Sequence, residues 1–234
     1  MILPSLPAPL RTTERFSFID LGRRDYASTW DLQKILLAQR QKDEIGDTIL
    51  FVEHDPVYTM GRRIYREDFL VPFDDSSGML GGVPIFQIER GGRVTYHGPG
   101  QLVIYPIIRL QVREQRLHPL MRGFEEIVLS VLKSFGVEGK RRKGITGVFT
   151  KDGKIGSLGI AIKRWVTFHG ISLNLDADLS YFQKIHACGF PDIQPVNLSS
   201  YLSSPPTRTR VIDEFARQWP ILWPALFPDP PKKK

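Results

Sequence analysis

Three apolar segments follow one another between residues 144 and 175 with little chain between them, and this crowding limits the possible folds more than any other feature. Their sequences are GITGVFT (144–150), KIGSLGIAI (154–162) and VTFHGISLNL (166–175). Each is short and apolar, as strands are, and the Lys-Arg-Trp between the last two predicts a hairpin. Strands joined by so few residues pair antiparallel, which excludes a purely parallel, doubly wound sheet.

Helical segments make this a mixed α/β protein. The clearest is HPLMRGFEEIVLSVLKSFG (118–136), in which apolar residues recur at spacings of three and four and Pro119 suits the first turn. A second amphipathic helix is predicted over residues 25–43, and a third over residues 211–219, where Pro220 should end it.

The remaining chain supplies further strands and the domain limits. Strands are predicted over residues 16–21, 47–54, 85–90 and 101–110, whereas residues 56–84 carry too many prolines and glycines for a regular element. At 234 residues the chain fits one α/β domain, a mixed sheet with flanking helices. We assign residues 1–14 to a flexible N-terminal extension, 15–227 to this domain and 228–234 to a basic tail.

Composition narrows the class of protein. The chain is 41% hydrophobic and 24% charged and has no apolar run of about 18 residues, which is typical of a globular protein without a membrane span. Its single cysteine permits no internal disulfide, so we expect a cytoplasmic protein. The formal net charge of +7 includes basic clusters at 140–143 and 232–234. Such clusters favour acidic partners, although a solvated face and a tail would look the same.

Cys188 is the first candidate for chemistry. A lone cysteine is most often a small buried hydrophobe, but this one lies in QKIHACGFPDI, where Gly189 and Pro191 indicate a turn. An accessible thiol becomes a nucleophile when a neighbour stabilises its thiolate. The neighbour is either one of the histidines or a lysine, and the residues alone do not choose among them. The histidines are His54, His97, His118, His169 and His186.

Lys154 is the lysine candidate. It opens an apolar, glycine-rich strand, where burial would lower the pKa of its amine, although most lysines at strand ends face solvent. Metal and nucleotide chemistry are not indicated, because HExxH, paired CxxC, P-loop and GxGxxG patterns are all absent. We therefore expect no metal and no cofactor.

The segment RGGRVTYHGPGQLVIYP (90–106) puts four glycines, a histidine and two arginines directly before a predicted strand. It closely resembles the signature of the lipoyl(octanoyl) transferases. Three further blocks resemble the same family in the same order, namely EHDPVYTMGRR (53–63), KIGSLGIAIKRWVTFHGISLNL (154–175) and ACG (187–189). Two positions depart from the family pattern: Ala187 replaces a usual proline, and Val196-Asn197-Leu198-Ser199 stands where Thr-Ser-Leu is common.

The resemblance implies the α/β catalytic domain shared with biotin– and lipoate–protein ligases, and an enzyme that moves an octanoyl group from acyl carrier protein to a lysine of lipoyl domains without ATP. Cys188 would carry the acyl group as a thioester, and Lys154 would lower the pKa of that thiol and shuttle protons. The implied pocket residues are Arg90, Gly91, Gly92, Arg93, Val94, Thr95, Tyr96, His97, Ser157, Leu158, Gly159, Gly170, Ile171 and Ser172.

An acyl pocket explains this residue pattern physically. Burying the methylenes of an octanoyl chain contributes about 0.8 kcal/mol each, or around 5 kcal/mol in all. Glycines let the backbone approach a thin chain closely, and Val94 and Tyr96 would supply apolar contact. His97 would orient a carbonyl or a water molecule, unless it only supports the loop.

The implied partners are octanoyl-acyl carrier protein as donor, and the lipoyl domains of 2-oxoacid dehydrogenases and the glycine cleavage H protein as acceptors. These partners are acidic, so Arg62, Arg63 and the cluster at 140–143 are candidate docking residues on an expected monomer. We expect neither nucleic acid nor a membrane as partner. Three alternatives stay open: an ATP-dependent ligase that needs no cysteine, an inert lipoyl-domain carrier, and a nucleic-acid-binding module that charge alone supports.

Overall fold

The computed structural model describes residues 6–187 and 193–228, and its strands and helices alternate along the chain. In order they are β1 (Arg11–Thr12), β2 (Phe16–Arg24), α1 (Tyr26–Gln41), β3 (Asp47–His54), β4 (Val57–Met60), β5 (Phe73–Asp74), β6 (Met79–Leu80), β7 (Val83–Gln87), β8 (Thr95–His97), β9 (Gln101–Ile107), α2 (Leu117–Ser134), β10 (Lys140–Arg142), β11 (Ile145–Phe149), β12 (Lys154–Lys163), β13 (Val166–Asn174) and α3 (Arg208–Leu226).

The larger sheet has eight strands in the order β1-β2-β3-β9-β13-β12-β11-β10. Only β2 and β3 run parallel, and the other neighbours are antiparallel. The predicted hairpin is confirmed: β12 and β13 are joined by Arg164 and Trp165, with φ values of 49° and 60°. Two successive positive φ values give a turn whose twist matches that of the flanking strands. The mixed sheet that the crowded strands predicted is therefore present.

A second sheet, β5-β6-β7-β4-β8, occupies much of the region from 56 to 84 that the sequence left unassigned. Two of its strands, β5 and β6, are only two residues long. Strands this short contain too few residues to show an alternation of apolar and polar side chains, so the sequence pattern could not predict them. The sheet encloses an apolar cluster of its own that includes Tyr58, Ile85, Tyr96 and Phe182.

Helices cover both faces of the larger sheet. In β3, Ile49 and Phe51 point to the face packed by α2 and α3, whereas Leu50 and Val52 point to the face packed by α1. All four side chains are completely buried. Burying a side chain of this size contributes about 1.5–3 kcal/mol, so the two-sided burial of the central strands holds the three layers together.

The prediction that Pro220 ends the third helix is wrong. Helix α3 continues through both Pro220 and Pro224. Trp219 and Trp223 lie on its core face with their rings stacked 5.9 Å apart, and the indole N–H of Trp223 donates to Glu114 Oε1 over 2.8 Å. An internal proline costs a helix about 3 kcal/mol. The burial of two tryptophans offsets that cost, and residue propensity alone does not show such tertiary packing.

The N-terminal residues described are joined to the domain. Arg11 and Thr12 form β1 and pair with Phe18 and Ser17 of β2, so this part of the predicted extension belongs to the sheet. The domain limits of 15–227 otherwise stay a prediction. None of the helices in the described ranges is long and apolar enough to cross a bilayer.

Candidate active site

A cavity of about 480 Å³, counting the space at its mouth, opens between β9, β12, β13 and the segment 90–97. Most of the residues that the resemblance implied for the pocket meet around it: Arg90, Gly92, Arg93, Thr95, His97, Ser157, Leu158, Gly159, Gly170, Ile171 and Ser172. The lining also contains residues that the sequence did not assign to the pocket: Tyr26, Ile88, Val103, Tyr105 and His169. The structure therefore gathers distant segments at one place, while their contact with a substrate stays a prediction.

Three of the implied residues lie elsewhere. Val94 and Tyr96 are buried in the apolar cluster of the second sheet, where Tyr96 stacks on Tyr181 with ring centroids 4.5 Å apart. They point away from the cavity because side chains alternate along β8, whose Thr95 and His97 face it. Gly91 lines a neighbouring groove. The apolar contact expected from Val94 and Tyr96 comes instead from other residues, including Val103, Leu158 and Ile171.

Arg90 organises the loop that carries it. Its side chain is nearly buried, and Nη1 donates to the carbonyl oxygens of Gly91 (3.0 Å) and Arg93 (2.8 Å). Nη2 donates to Thr59 O over 2.6 Å and to Thr59 Oγ1 over 3.0 Å. A planar guanidinium can serve several carbonyls from one fixed position. Arg90 thus fixes the shape of the loop and ties it to β4.

Two facing glycines on β12 and β13 are required by the packing around the cavity. Gly159 and Gly170 are paired across the two strands. A Cβ atom on Gly159 would lie 2.7 Å from Arg90 Cδ, and one on Gly170 would lie 1.7 Å from the carbonyl oxygen of Ile104. Neither contact is sterically possible without movement. The protein's own side chains and backbone therefore demand glycine here, in addition to any demand from an acyl chain.

Buried polar side chains form a connected chain of hydrogen bonds beside the cavity. Thr59 Oγ1 lies 3.4 Å from His97 Nε2, and His97 Nδ1 lies 2.7 Å from Gln101 Oε1. The Gln101 amide nitrogen donates to Asn174 Oδ1 over 2.9 Å, so its oxygen is the acceptor and His97 carries its proton on Nδ1. His97 Nε2 then accepts from the Thr59 hydroxyl. We call Arg90, Thr59, His97, Gln101 and Asn174 the polar chain.

The polar chain reaches the strand that begins with Lys154. Asn174 Nδ2 donates to the carbonyl oxygen of Val196 over 3.1 Å. The backbone N–H of Val196 donates in turn to the carbonyl oxygen of Lys154 over 3.0 Å. All these donors point in one direction, so each bond polarises the next. The loop at 90–97, the central strands and Lys154 are therefore held in register by one continuous set of bonds.

The histidines around the cavity are electrically neutral at ordinary pH. Burial lowers the pKa of His97 to about 3 and that of His54 to about 4. Burial also lowers the pKa of His169 to about 4, although Glu89 Oε2 lies 3.1 Å from its Nε2 and acts in the opposite direction. The histidines of this wall therefore offer hydrogen bonds but no charge. The two arginines of the lining, Arg90 and Arg93, are bonded to carbonyl oxygens and carboxylates of the protein, so the cavity suits an uncharged ligand.

Lys154 is buried at the start of β12, with 5% of its surface exposed, so the alternative of a solvent-facing lysine is wrong. Its ammonium nitrogen donates to the carbonyl oxygen of Thr146 over 3.1 Å. A Cβ atom on Gly147 would lie 2.4 Å from Lys154 Cε, so only glycine leaves room for this side chain. Glu125 holds the backbone of Gly147 in place, because its Oε1 accepts the N–H of Gly147 over 2.9 Å.

Cys188 lies outside the described residues, as do residues 189–192. The chain on either side is anchored. His186 N–H donates to the carbonyl oxygen of Asp68 over 2.8 Å, and the carbonyl oxygen of Gln194 accepts the N–H of Lys154 over 2.8 Å. Gln194, which follows this segment in the sequence, is therefore bonded to Lys154 through the backbone. This agrees with the pairing of Cys188 and Lys154 that the resemblance implied, and that pairing stays a proposal.

The histidine candidates do not all lie near the cavity. His54, His97 and His169 lie in or beside the cavity wall, whereas His118 is exposed on α2. His186 stays two residues before Cys188 in the sequence. No group of three histidine, cysteine or acidic side chains within residues 6–187 and 193–228 is arranged to hold a metal ion.

Comparison with known proteins identifies the family. The family model described as the lipoyl protein ligase A/B catalytic domain matches residues 25–219. An octanoyltransferase of Syntrophobacter fumaroxidans is 43% identical to this chain over 184 residues, which cover 79% of the chain and 80% of that relative.

Solved structures confirm the predicted fold. A bipartite lipoate protein ligase of Thermoplasma acidophilum superposes with a TM-score of 0.66 at 14% identity, over 89% of this chain and 83% of that one. Biotin protein ligase of Aquifex aeolicus, solved with biotin and ATP, gives a TM-score of 0.54 at 8% identity, over 92% of this chain and 72% of that one. At such identities the likeness concerns the fold alone. Sequence identity to the S. fumaroxidans protein carries the assignment further, and the chain belongs to the octanoyltransferase family within the lipoyl protein ligase A/B catalytic domains.

Proposed function

We propose that the protein transfers an octanoyl group from octanoyl-acyl carrier protein to a lysine of lipoyl domains, through a thioester on Cys188. The observation that carries this proposal is a cavity whose histidines are uncharged and whose arginines, Arg90 and Arg93, are already bonded within the protein. A charged or strongly polar ligand would lose hydration there without gaining partners. An octanoyl chain gains about 0.8 kcal/mol for each methylene it buries.

In the first half-reaction, the Cys188 thiolate attacks the carbonyl carbon of the donor thioester. The new carbon–sulfur bond forms at Cys188, the donor's carbon–sulfur bond breaks, and the departing thiolate takes a proton from the ammonium of Lys154. The bond from Lys154 Nζ to Thr146 O directs that ammonium. Backbone N–H groups near the loops would stabilise the oxyanion that develops on the carbonyl.

In the second half-reaction, the acceptor lysine attacks the thioester on the enzyme. Its ammonium first loses a proton to the now neutral Lys154. Its amine then attacks the thioester carbonyl, and the amide forms as the Cys188 thiolate leaves and the second proton of the nitrogen passes to solvent. The thiolate–ammonium pair is thereby restored. A thioester is already an activated acyl group, so neither step needs ATP. We place the reaction in the cytoplasm, where a thiol stays reduced, and expect the enzyme to act as a monomer.

Intact mass spectrometry tests this function. The protein is incubated with octanoyl-acyl carrier protein without ATP, and we expect it to gain the mass of one octanoyl group, which hydroxylamine removes. Addition of a lipoyl domain should move that group to the domain. The Cys188→Ala variant, checked for folding by circular dichroism, should gain nothing.

The competing function is that of an ATP-dependent ligase, because lipoate and biotin protein ligases have the same fold. A ligase needs an adenylate and no cysteine. If Cys188→Ala still modifies the lipoyl domain when ATP and octanoate are supplied, and the unaltered protein forms no thioester, the ligase replaces the transferase.

A further inference from the structure

An open groove continues from the acyl cavity to the surface. Arg90, Gly92 and Arg93 line both spaces. The groove is also lined by Arg62 and Arg63 and by apolar residues such as Ile160. A ligand longer than the cavity would therefore reach this groove, because the two spaces share part of their lining.

The two arginines are held beside the mouth of the cavity by the backbone. A Cβ atom on Gly61 would lie 2.1 Å from the carbonyl oxygen of Gly92, so the chain before Arg62 packs directly on the signature loop. Arg62 Nε donates to the carbonyl oxygen of Glu89 over 2.9 Å, and Gln87 Nε2 donates to the carbonyl oxygen of Arg62 over 2.9 Å. The positions of these residues relative to the cavity are thus fixed.

Acidic side chains around the groove are already engaged. Arg93 pairs with Glu67 over 2.8 Å and with Asp68 over 2.6 Å. Glu89 lies 3.1 Å from His169 Nε2 and accepts the indole N–H of Trp30 over 3.0 Å. Arg62 and Arg63 form no ion pair with any residue in the described ranges. Two positive charges therefore remain uncompensated where the cavity opens.

The cluster at 140–143 differs in this respect. Arg141 bonds to both Glu125 and Glu126, and the guanidinium of Arg142 lies 4.9 Å from the ring centre of Phe149. Its arginines therefore serve the structure around α2 and β11. Of the two basic regions expected to dock an acidic partner, the one at the cavity mouth has guanidinium groups available for it.

We propose that Arg62 and Arg63 bind the phosphodiester of the phosphopantetheine arm on which the donor carries its octanoyl thioester. This inference rests on the proposed function. The arm enters thioester first, so its phosphodiester, which is its anionic group, stays outside the cavity. Guanidinium groups bind phosphate oxygens through paired, charge-assisted hydrogen bonds. The acceptor is a lysine side chain without phosphate, so the two arginines act in the first half-reaction.

The test compares two small donors, octanoyl-phosphopantetheine and octanoyl-pantetheine, which differ only in the phosphate. The rate of acyl-enzyme formation is followed by intact mass for the unaltered protein, for Arg63→Gln and for Arg62→Gln/Arg63→Gln. Arg63→Gln removes no hydrogen bond to another described residue, so folding is not at issue in that variant. The matched control is Lys140→Gln/Lys143→Gln, which removes the same charge from an exposed region.

With octanoyl-phosphopantetheine we expect kcat/KM to fall by about tenfold or more in the double arginine variant, and by less in Arg63→Gln. With octanoyl-pantetheine it should be unchanged, and the lysine control should behave like the unaltered protein with both donors.

Several results would overturn the inference: no loss in the arginine variants, an equal loss with octanoyl-pantetheine, an equal loss in the lysine control, or a loss seen only with the intact carrier protein. If the unaltered protein accepts an acyl group from neither small donor nor from the carrier protein, the proposed function fails, and this inference fails with it.

Discussion

The cavity and the groove outside it share one loop, but their polar side chains are arranged differently. Inside, His97, Gln101 and Asn174 are buried and bonded to one another, and the histidines are neutral. Outside, Arg62 and Arg63 keep their charges without a carboxylate partner among the described residues. Because an unpaired charge is costly to bury, we expect charge-based recognition at the mouth of the cavity and an uncharged chain inside it.

The two regions should therefore respond differently to substitution. Inside the cavity, a changed side chain breaks bonds that also hold the strands in register, so stability and activity should fall together. At the groove, a changed side chain touches little else, so only the handling of a charged donor should suffer.

The largest effect is expected from Lys154, the buried cation on the interior side of this contrast. Removing a positioned acid–base group typically slows a reaction by about 10²- to 10⁴-fold, and we expect Lys154→Ala to slow transfer to the lipoyl domain by this amount. Lys151→Ala, an exposed neighbour, serves as the control. Normal turnover in Lys154→Ala would mean that Lys154 takes no part in the reaction.

Acid should destabilise the cavity region through its neutral histidines. The pKa values of His54 and His169 are lowered to about 4 and that of His97 to about 3, whereas an unfolded histidine titrates near ~6.5. Between these values the unfolded chain binds protons that the folded chain does not, so the free energy of unfolding decreases as pH falls below ~6.5. From pH ~7 to ~5.5 we expect a loss of roughly 1 kcal/mol per histidine.

Urea unfolding at several pH values measures this loss. A flat profile over this range would mean that the buried histidines are protonated in the folded protein, and the interior would no longer be neutral.

Gly159 probes how tightly the interior is packed. The added methyl of Gly159→Ala would meet Arg90 Cδ at 2.7 Å, and because Arg90 is held by carbonyl groups it cannot simply turn aside. We expect the free energy of unfolding to fall by about 1–3 kcal/mol, as in other overpacked sites. Gly46→Ala is the control, since no atom lies within 4 Å of its added carbon. Equal stability of the two variants would show a looser interior.

The bond between Gln101 and Asn174 should give a smaller, non-additive effect. Either Gln101→Leu or Asn174→Leu leaves a buried partner unsatisfied, which costs about 1–3 kcal/mol. The double variant removes both partners of their shared bond, so its loss should be smaller than the sum of the single losses by about 1 kcal/mol. Strictly additive losses in urea unfolding would mean that the polar chain is not coupled.

Long, regular elements of the fold were predictable, and those governed by tertiary contacts were not. The strands at 154–162 and 166–175 were visible because they are long and closely joined, whereas the two-residue strands β5 and β6 offer no pattern. The end of α3 was missed because Trp219 and Trp223 pack against other elements, and the free energy of this packing offsets the cost of Pro220 within the helix.

The candidate site shows the same division. The resemblance implied most of the cavity lining, but the role of Arg90 depends on carbonyl groups from separate parts of the chain, Thr59 among them. His169 was one of several histidines scattered along the sequence. It has a φ of 55° within β13, and a non-glycine residue in this conformation cannot be recognised from its sequence. Only the folded backbone turns it to the cavity.

The most direct test of the central claim is the pKa of the Cys188 thiol. The chain has a single cysteine, so the pH dependence of its alkylation by iodoacetamide reports Cys188 alone. In the unaltered protein we expect the reaction rate to rise with an inflection well below the ordinary thiol value of about 8.5, and in Lys154→Ala we expect that inflection to return to about 8.5 or above. The same inflection in both proteins would contradict the pairing of Cys188 with Lys154.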